Sequence, residues 1–158
     1  MRGLSNEHTQ AGVEIIGFPV HQALEEAIAS AKEALDAAGV KNYKFEFSHA
    51  RLLQLIFEEL NLPAVKEAEL AAYIRDKSIT GLKEFTKENP SQYDKVLEQL
   101  PFLFGETKAV LTKARELTDS EAFLTALDSL EVLTNRLADS LPETTLDLAQ
   151  LPAVPYYT

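Results

Sequence analysis

Thr144-Thr145-Leu146-Asp147-Leu148 decides the reading of the fold, because it returns to strand alternation directly after a long helical stretch. Pro142 ends that stretch, since proline cannot continue a helix. Upstream, residues 64–76, 78–88, 90–100, 106–117 and 119–140 each carry apolar side chains at i, i+3/i+4 spacing. Their boundaries are chemically marked. Ser78 is placed to cap the second helix, Asn89-Pro90 offers the third an N-cap and an N1 proline, and Thr118 with Glu121 writes a capping box for the last. Pro101-Phe102-Leu103-Phe104-Gly105 reads as a short apolar break tucked among the helices.

Strand patterns also precede the helices. From Thr9 to Ile16 the side chains alternate, with Ala11, Val13 and Ile15 on one face and Gln10, Gly12 and Glu14 on the other. Gly17-Phe18-Pro19 hands over to a helix with the stripe Val20, Leu24, Ala27, Ile28, Ala31, Leu35 and Ala38, closed by Gly39. Tyr43-Lys44-Phe45-Glu46-Phe47 alternates again. Ser48 can cap the helix that follows, whose buried face would hold Leu52, Leu53, Ile56, Phe57 and Leu60, and Pro63 bounds it. The expected fold is therefore α+β. Residues 1–62 and 142–158 would form a sheet core, and residues 63–141 an all-helical insertion within it.

The 158 residues are enough for one substantial core. Apolar residues make up 46% and charged ones 25%, the mixture of a folded domain rather than a disordered segment. A net charge of −10, from 25 acidic and 15 basic side chains, opposes a nucleic-acid backbone as the main partner. With no cysteine there are no disulfides or thiolate metal sites, and His8, His21 and His49 lack metal-ligand spacing. No apolar run is long enough for a membrane span and no signal peptide opens the chain, so a cytoplasmic location is expected. There is no Ser/His/Asp arrangement and no phosphate-cradling glycine loop, so neither a catalytic residue nor a cofactor is assigned.

Five segments, in order, carry a family resemblance: Glu7-His8-Thr9-Gln10-Ala11-Gly12-Val13-Glu14-Ile15-Ile16-Gly17, Phe45-Glu46-Phe47-Ser48-His49, Arg75-Asp76-Lys77-Ser78-Ile79-Thr80-Gly81-Leu82, Leu100-Pro101-Phe102-Leu103-Phe104-Gly105 and Tyr156-Tyr157-Thr158. They resemble the histidyl-tRNA synthetase-like class II fold, and within it the branch of ATP phosphoribosyltransferase regulatory subunits. The first looks like the second half of the motif 2 strand. The resemblance implies part of an antiparallel class II sheet core carrying a helical insertion, with motif 1, the first motif 2 strand and motif 3 outside this chain. A sheet cut at its margins would expose unpaired edges, and self-association is expected.

The same resemblance implies a histidine site. Gln10 would lie near the α-amino group, Glu14 at the imidazole, and Tyr157, with Tyr156 beside it, at the other ring nitrogen. Residues four apart on a strand lie about 13 Å apart on one face, at roughly 3.3 Å per residue, so side chains leaning inward could grip both ends of histidine. A carboxylate and a phenol can read both ring nitrogens. Without the family order, Gln10 and Glu14 fit equally well on the solvated face of an ordinary strand, and Tyr156-Tyr157 is a common sheet pair. His21 and His49 read as surface or cap positions.

Departures from the synthetases point to the regulatory branch. Where they carry an arginine ahead of the tyrosine, this chain has Pro152, which has no charge and no donor. Asn6 stands where many relatives have another arginine. The implied protein is not an enzyme. It would bind the short catalytic subunit of ATP phosphoribosyltransferase as a homodimer within a hetero-octamer, with histidine as effector and no nucleic acid or membrane. A fragment of a true histidyl-tRNA synthetase and a helical interaction module without a ligand site are the alternatives.

Overall fold

The computed structural model describes residues 12–141 and 143–151. The chain divides into two compact units, Met1–Asn42 and Tyr43–Thr158.

In the first unit, Pro19 leads into α1 (Val20–Ala37). Its end is a Schellman turn: Gly39 donates to the Asp36 carbonyl and Val40 to the Leu35 carbonyl, with Gly39 at φ +72° as expected of the left-handed position after a helix. Lys32 and Asp36 pair one turn apart at 2.8 Å. No described side chain of this unit is buried. The strand expected over Thr9–Ile16 is not found in its described part, and Thr9–Ala11 lie outside the described residues. Gly12–Ile16 is irregular backbone. Alternation marks a strand only where a neighbouring strand supplies the hydrogen-bond ladder, and the one sheet among the described residues is built from other segments.

The second unit begins with β1 (Phe45–Phe47) and then α2 (Ala50–Leu60). Five further helices follow: α3 (Ala64–Arg75), α4 (Ile79–Glu88), α5 (Asp94–Gln99), α6 (Thr107–Arg115) and α7 (Glu121–Leu137). A 3-10 turn at Leu100–Phe102 and the strand β2 (Phe104–Glu106) sit between α5 and α6, and β3 (Thr144–Asp147) comes last. The core runs through the six helices α2 to α7, from Leu52 and Ile56 on α2 through Leu70, Leu82, Phe85, Leu97 and Leu111 to Phe123, Leu127 and Leu130 on α7, and takes in Leu146 on β3.

The sheet corrects two expectations. Its order is β1-β3-β2, with β1 parallel and β2 antiparallel to β3, so it is mixed rather than antiparallel. A parallel pair needs a long crossover, and the helices between β1 and β3 provide it. The stretch between residues 63 and 141 is also not all helical. Phe104–Glu106 forms a strand instead of an apolar break inside the bundle, and Gly105 allows it by adopting φ +120°, a conformation closed to other residues.

Three helix starts also differ from the sequence reading. His49, not Ser48, caps α2, its Nδ1 accepting from the Arg51 amide. Asn89 closes α4 by donating to the Phe85 carbonyl, and ahead of α5 the Asp94 carboxylate accepts from the Ser91 amide while the Ser91 hydroxyl oxygen accepts from the Tyr93 amide. Ser120 caps α7 by accepting from the Phe123 amide, while Thr118 accepts from the Ser120 amide. In each case a polar side chain one or two residues further along the chain meets the unpaired amides instead. Ser78 caps α4 as expected, accepting from Gly81.

Candidate functional site

Of the four expected ligand residues, Gln10, Tyr156 and Tyr157 lie outside the described residues. Glu14 is described, in the irregular backbone before Gly17, and its side chain is exposed. What the structure does describe is how the backbone leading toward the tyrosines is held.

Asp147 ends β3 and is 7% exposed. Its Oδ2 accepts from the Lys77 ammonium at 2.7 Å and its Oδ1 from the Ala149 amide at 3.0 Å. Removing one partner of a buried ion pair leaves an uncompensated charge, at about 3–5 kcal/mol when both are fully buried. The Lys77 side chain is 39% exposed, so solvent screens this pair and about 1–3 kcal/mol is the appropriate scale. The ammonium also lies 4.8 Å from the centroid of the Phe104 ring.

Lys77 reaches Asp147 from an unusual backbone. The end of α3 is a second Schellman turn, in which Lys77 donates to the Ile74 carbonyl and Ser78 to the Tyr73 carbonyl. The residue in the left-handed position is Lys77, at φ +49°. Gly39 occupies the same place after α1. A side chain there costs about 1–2 kcal/mol, a cost glycine avoids.

The chain beyond Asp147 is held at each step. The Leu148 amide donates to the Leu103 carbonyl at 3.0 Å, and Leu148 and Ala149 are buried. The Gln150 side-chain amide donates to the Glu46 carboxylate on β1, and Leu151 packs against the core. Three of the segments singled out in the sequence thus converge here: Lys77 from Arg75–Leu82, Leu103 from Leu100–Gly105 and Glu46 from Phe45–His49. Asp147 and Lys77 were missed by sequence reasoning. One signal was available: a lone acidic residue between Leu146 and Leu148 in an apolar strand asks for a partner, though nothing in the sequence says which cation supplies it.

The groups whose titration is perturbed belong to caps and ion pairs elsewhere. Arg115 is held above its ordinary value by hydrogen bonds to Asp128 and then Glu131, each 2.7 Å away. The Glu106 carboxyl is held below its usual range by the Lys108 and Ala109 amides it accepts from at the start of α6. Burial lowers His49, which favours the neutral ring its capping role requires. Among the described residues no three His, Asp or Glu side chains are grouped to hold a metal ion, and no helix is long and apolar enough to cross a membrane.

The sequence model of the histidyl-tRNA synthetase family matches residues 2–158. An ATP phosphoribosyltransferase regulatory subunit of Streptococcus thermophilus is 91% identical over 158 residues, all of this chain and 48% of that protein. One from Streptococcus gordonii is 52% identical over the same shares of the two chains. A crystal structure of an ATP phosphoribosyltransferase regulatory subunit/histidyl-tRNA synthetase from Bacillus halodurans C superposes with a TM-score of 0.71 at 27% identity, covering 90% of this chain and 38% of that one. The chain spans about half the length of the curated relatives it matches.

Proposed function

We propose that this chain, which belongs to the histidyl-tRNA synthetase family, works within a regulatory subunit of ATP phosphoribosyltransferase. In that role it makes no covalent chemistry of its own. The whole protein assembles as a homodimer within a hetero-octamer with the short catalytic subunit in the cytoplasm, activates that subunit, and passes on feedback inhibition by histidine. The observation that carries the reading is the 91% identity, across all 158 residues, to a protein of that description.

Gln10, Glu14 and Tyr157, with Tyr156 beside it, are the histidine-binding residues of this reading. The carboxylate of Glu14 and the phenol of Tyr157 take the two imidazole nitrogens, and Gln10 takes the α-amino group. Relay follows if histidine binds two quaternary states with different affinity, since a ligand shifts an equilibrium only by its differential binding. Pro152 in place of a charged donor, and the net charge of −10, support a binding role over aminoacyl transfer to tRNA.

The test is calorimetric titration of histidine into the full-length protein and its Glu14→Gln and Tyr157→Phe variants. Saturable binding, weakened in both variants, is expected. Binding that is unchanged in both removes the site assignment. The Bacillus halodurans neighbour carries the synthetase description as well, so histidine-dependent pyrophosphate exchange is the companion assay. Exchange by the full-length protein would replace the regulatory reading with an aminoacylating one.

A further inference from the structure

We infer that the outer margin of β2 is a docking site for an extended, acidic segment of a partner protein, which adds to the sheet as a further strand. Every residue concerned belongs to the second unit, and histidine binding is not required.

The strand order β1-β3-β2 leaves β2 at one margin of the sheet. The Leu103 carbonyl accepts from the Leu148 amide, so it faces the segment that continues β3. Across the trans peptide that follows, the Phe104 N–H points the opposite way, toward the open margin. No hydrogen bond among the described residues reaches it. An unpaired donor on a strand margin is what strand addition uses. The side chains here alternate: Leu103 is buried, while Phe102 and Phe104 stand 45% and 56% exposed. One exposed apolar side chain is ordinary, but two aromatic rings beside an unpaired strand amide form a surface that a further strand would cover. Each ring has a lysine against it. The Lys113 ammonium lies 5.5 Å from the Phe102 centroid, and that of Lys77 lies 4.8 Å from the Phe104 centroid.

Charge selects the occupant. The chain carries −10 overall, yet α6, which follows β2 directly, holds Lys108, Lys113 and Arg115 and no acidic residue. Arg115 is engaged by Asp128 and Glu131, and Lys77 by Asp147. Lys113 enters none of the ion pairs among the described residues, so its charge is open to a carboxylate from outside. A second copy of β2 does not supply one, because its acidic side chain, Glu106, is turned back onto the Lys108 and Ala109 amides as the α6 cap. An extended segment with apolar and acidic side chains on one face meets all three demands. Its backbone carbonyl accepts from the Phe104 N–H, its apolar side chains cover the rings, and its carboxylate meets the Lys113 ammonium.

The experiment uses the full-length protein and a fluorescent peptide of about eight residues, repeating valine-valine-glutamate-glutamate so that each face of the strand carries both side chains. A counterpart has lysine for every glutamate. Fluorescence polarisation should show saturable binding of the glutamate peptide, about tenfold or more tighter than the lysine peptide and weakening as salt rises. Lys113→Glu and Phe104→Thr should each raise the dissociation constant about tenfold, the loss of one good contact. Both positions are at the surface, and circular dichroism checks that the variants fold. Lys113→Gln, which removes the charge without reversing it, replaces Lys113→Glu if that variant does not. Failure of the glutamate peptide to bind overturns the inference, as does equal binding of the two peptides. An unchanged affinity in either variant overturns it too. Self-association of the parent that Phe104→Thr abolishes in sedimentation would give this margin to a second copy, and would overturn the acidic partner.

Discussion

Replacing Gly81 with alanine sets two known effects against each other. Gly81 lies in the first turn of α4, where alanine is the better helix former by about 1 kcal/mol. A Cβ built there would fall 2.4 Å from Tyr73 Cδ1, 2.6 Å from Cε1 and 2.8 Å from Cγ. These three carbons belong to one rigid ring, so the ring must move as a unit. Overpacking of this kind costs about 1–3 kcal/mol. Tyr73 also donates to Glu69 at 3.0 Å, and displacing the ring puts that bond at risk, at about 0.5–1.5 kcal/mol. The steric terms win, leaving Gly81→Ala less stable by about 1–3 kcal/mol. For a chain of this size each kcal/mol moves Tm by about 2–4 °C. The assay is urea denaturation, with a lower midpoint at constant m-value expected. Tyr73→Leu made together with Gly81→Ala should recover part of the loss, with a coupling of about 0.5–3 kcal/mol. A Gly81→Ala protein as stable as the parent, or more so, would refute the claim that close approach of α4 to Tyr73 fixes glycine there.

Leu103→Ala, at a fully buried residue, should cost about 2–5 kcal/mol by urea midpoint, whereas Val65→Ala, 81% exposed, should stay within about 0.5. Ser120→Ala should cost about 1–2 kcal/mol in the same assay, since Ser120 both caps α7 and meets the Tyr93 hydroxyl at 2.9 Å; Thr118→Ala should cost less. Burial lowers the His49 pKa in the folded protein, so the unfolded chain binds the extra proton more readily. Stability is then complete above pH 6.5 and falls as the pH drops below that value toward the folded pKa, and His49→Asn, a cap that does not titrate, should flatten that part of the pH profile.

Sequence patterns located α1, α2, α3, α4, α6 and α7 because helical periodicity is written locally, in side chains three and four residues apart. Ser78 and Gly39 were legible for the same reason, as each acts within one turn of itself. The sheet was less so. Whether Phe45–Phe47 runs parallel or antiparallel to Thr144–Asp147 depends on a crossover of many helices, and no local pattern records it. Phe104–Glu106 is a strand only because β3 offers it a ladder, which a three-residue segment cannot announce. The Thr9–Ile16 alternation shows the converse, since its described part has the pattern without the ladder. The expectation of a histidine site at Gln10, Glu14, Tyr156 and Tyr157 came from family order alone. The Lys77–Asp147 pair joins positions far apart in sequence, and one lysine among many acquires meaning only when its backbone and its partner are both seen.

The central claim is tested most directly by the activity of a short-form ATP phosphoribosyltransferase catalytic subunit, measured with and without the full-length protein while histidine is titrated. Activity that requires the protein and declines as histidine rises is the expected result. A catalytic subunit whose rate is the same with and without it, at every histidine concentration, would contradict the account.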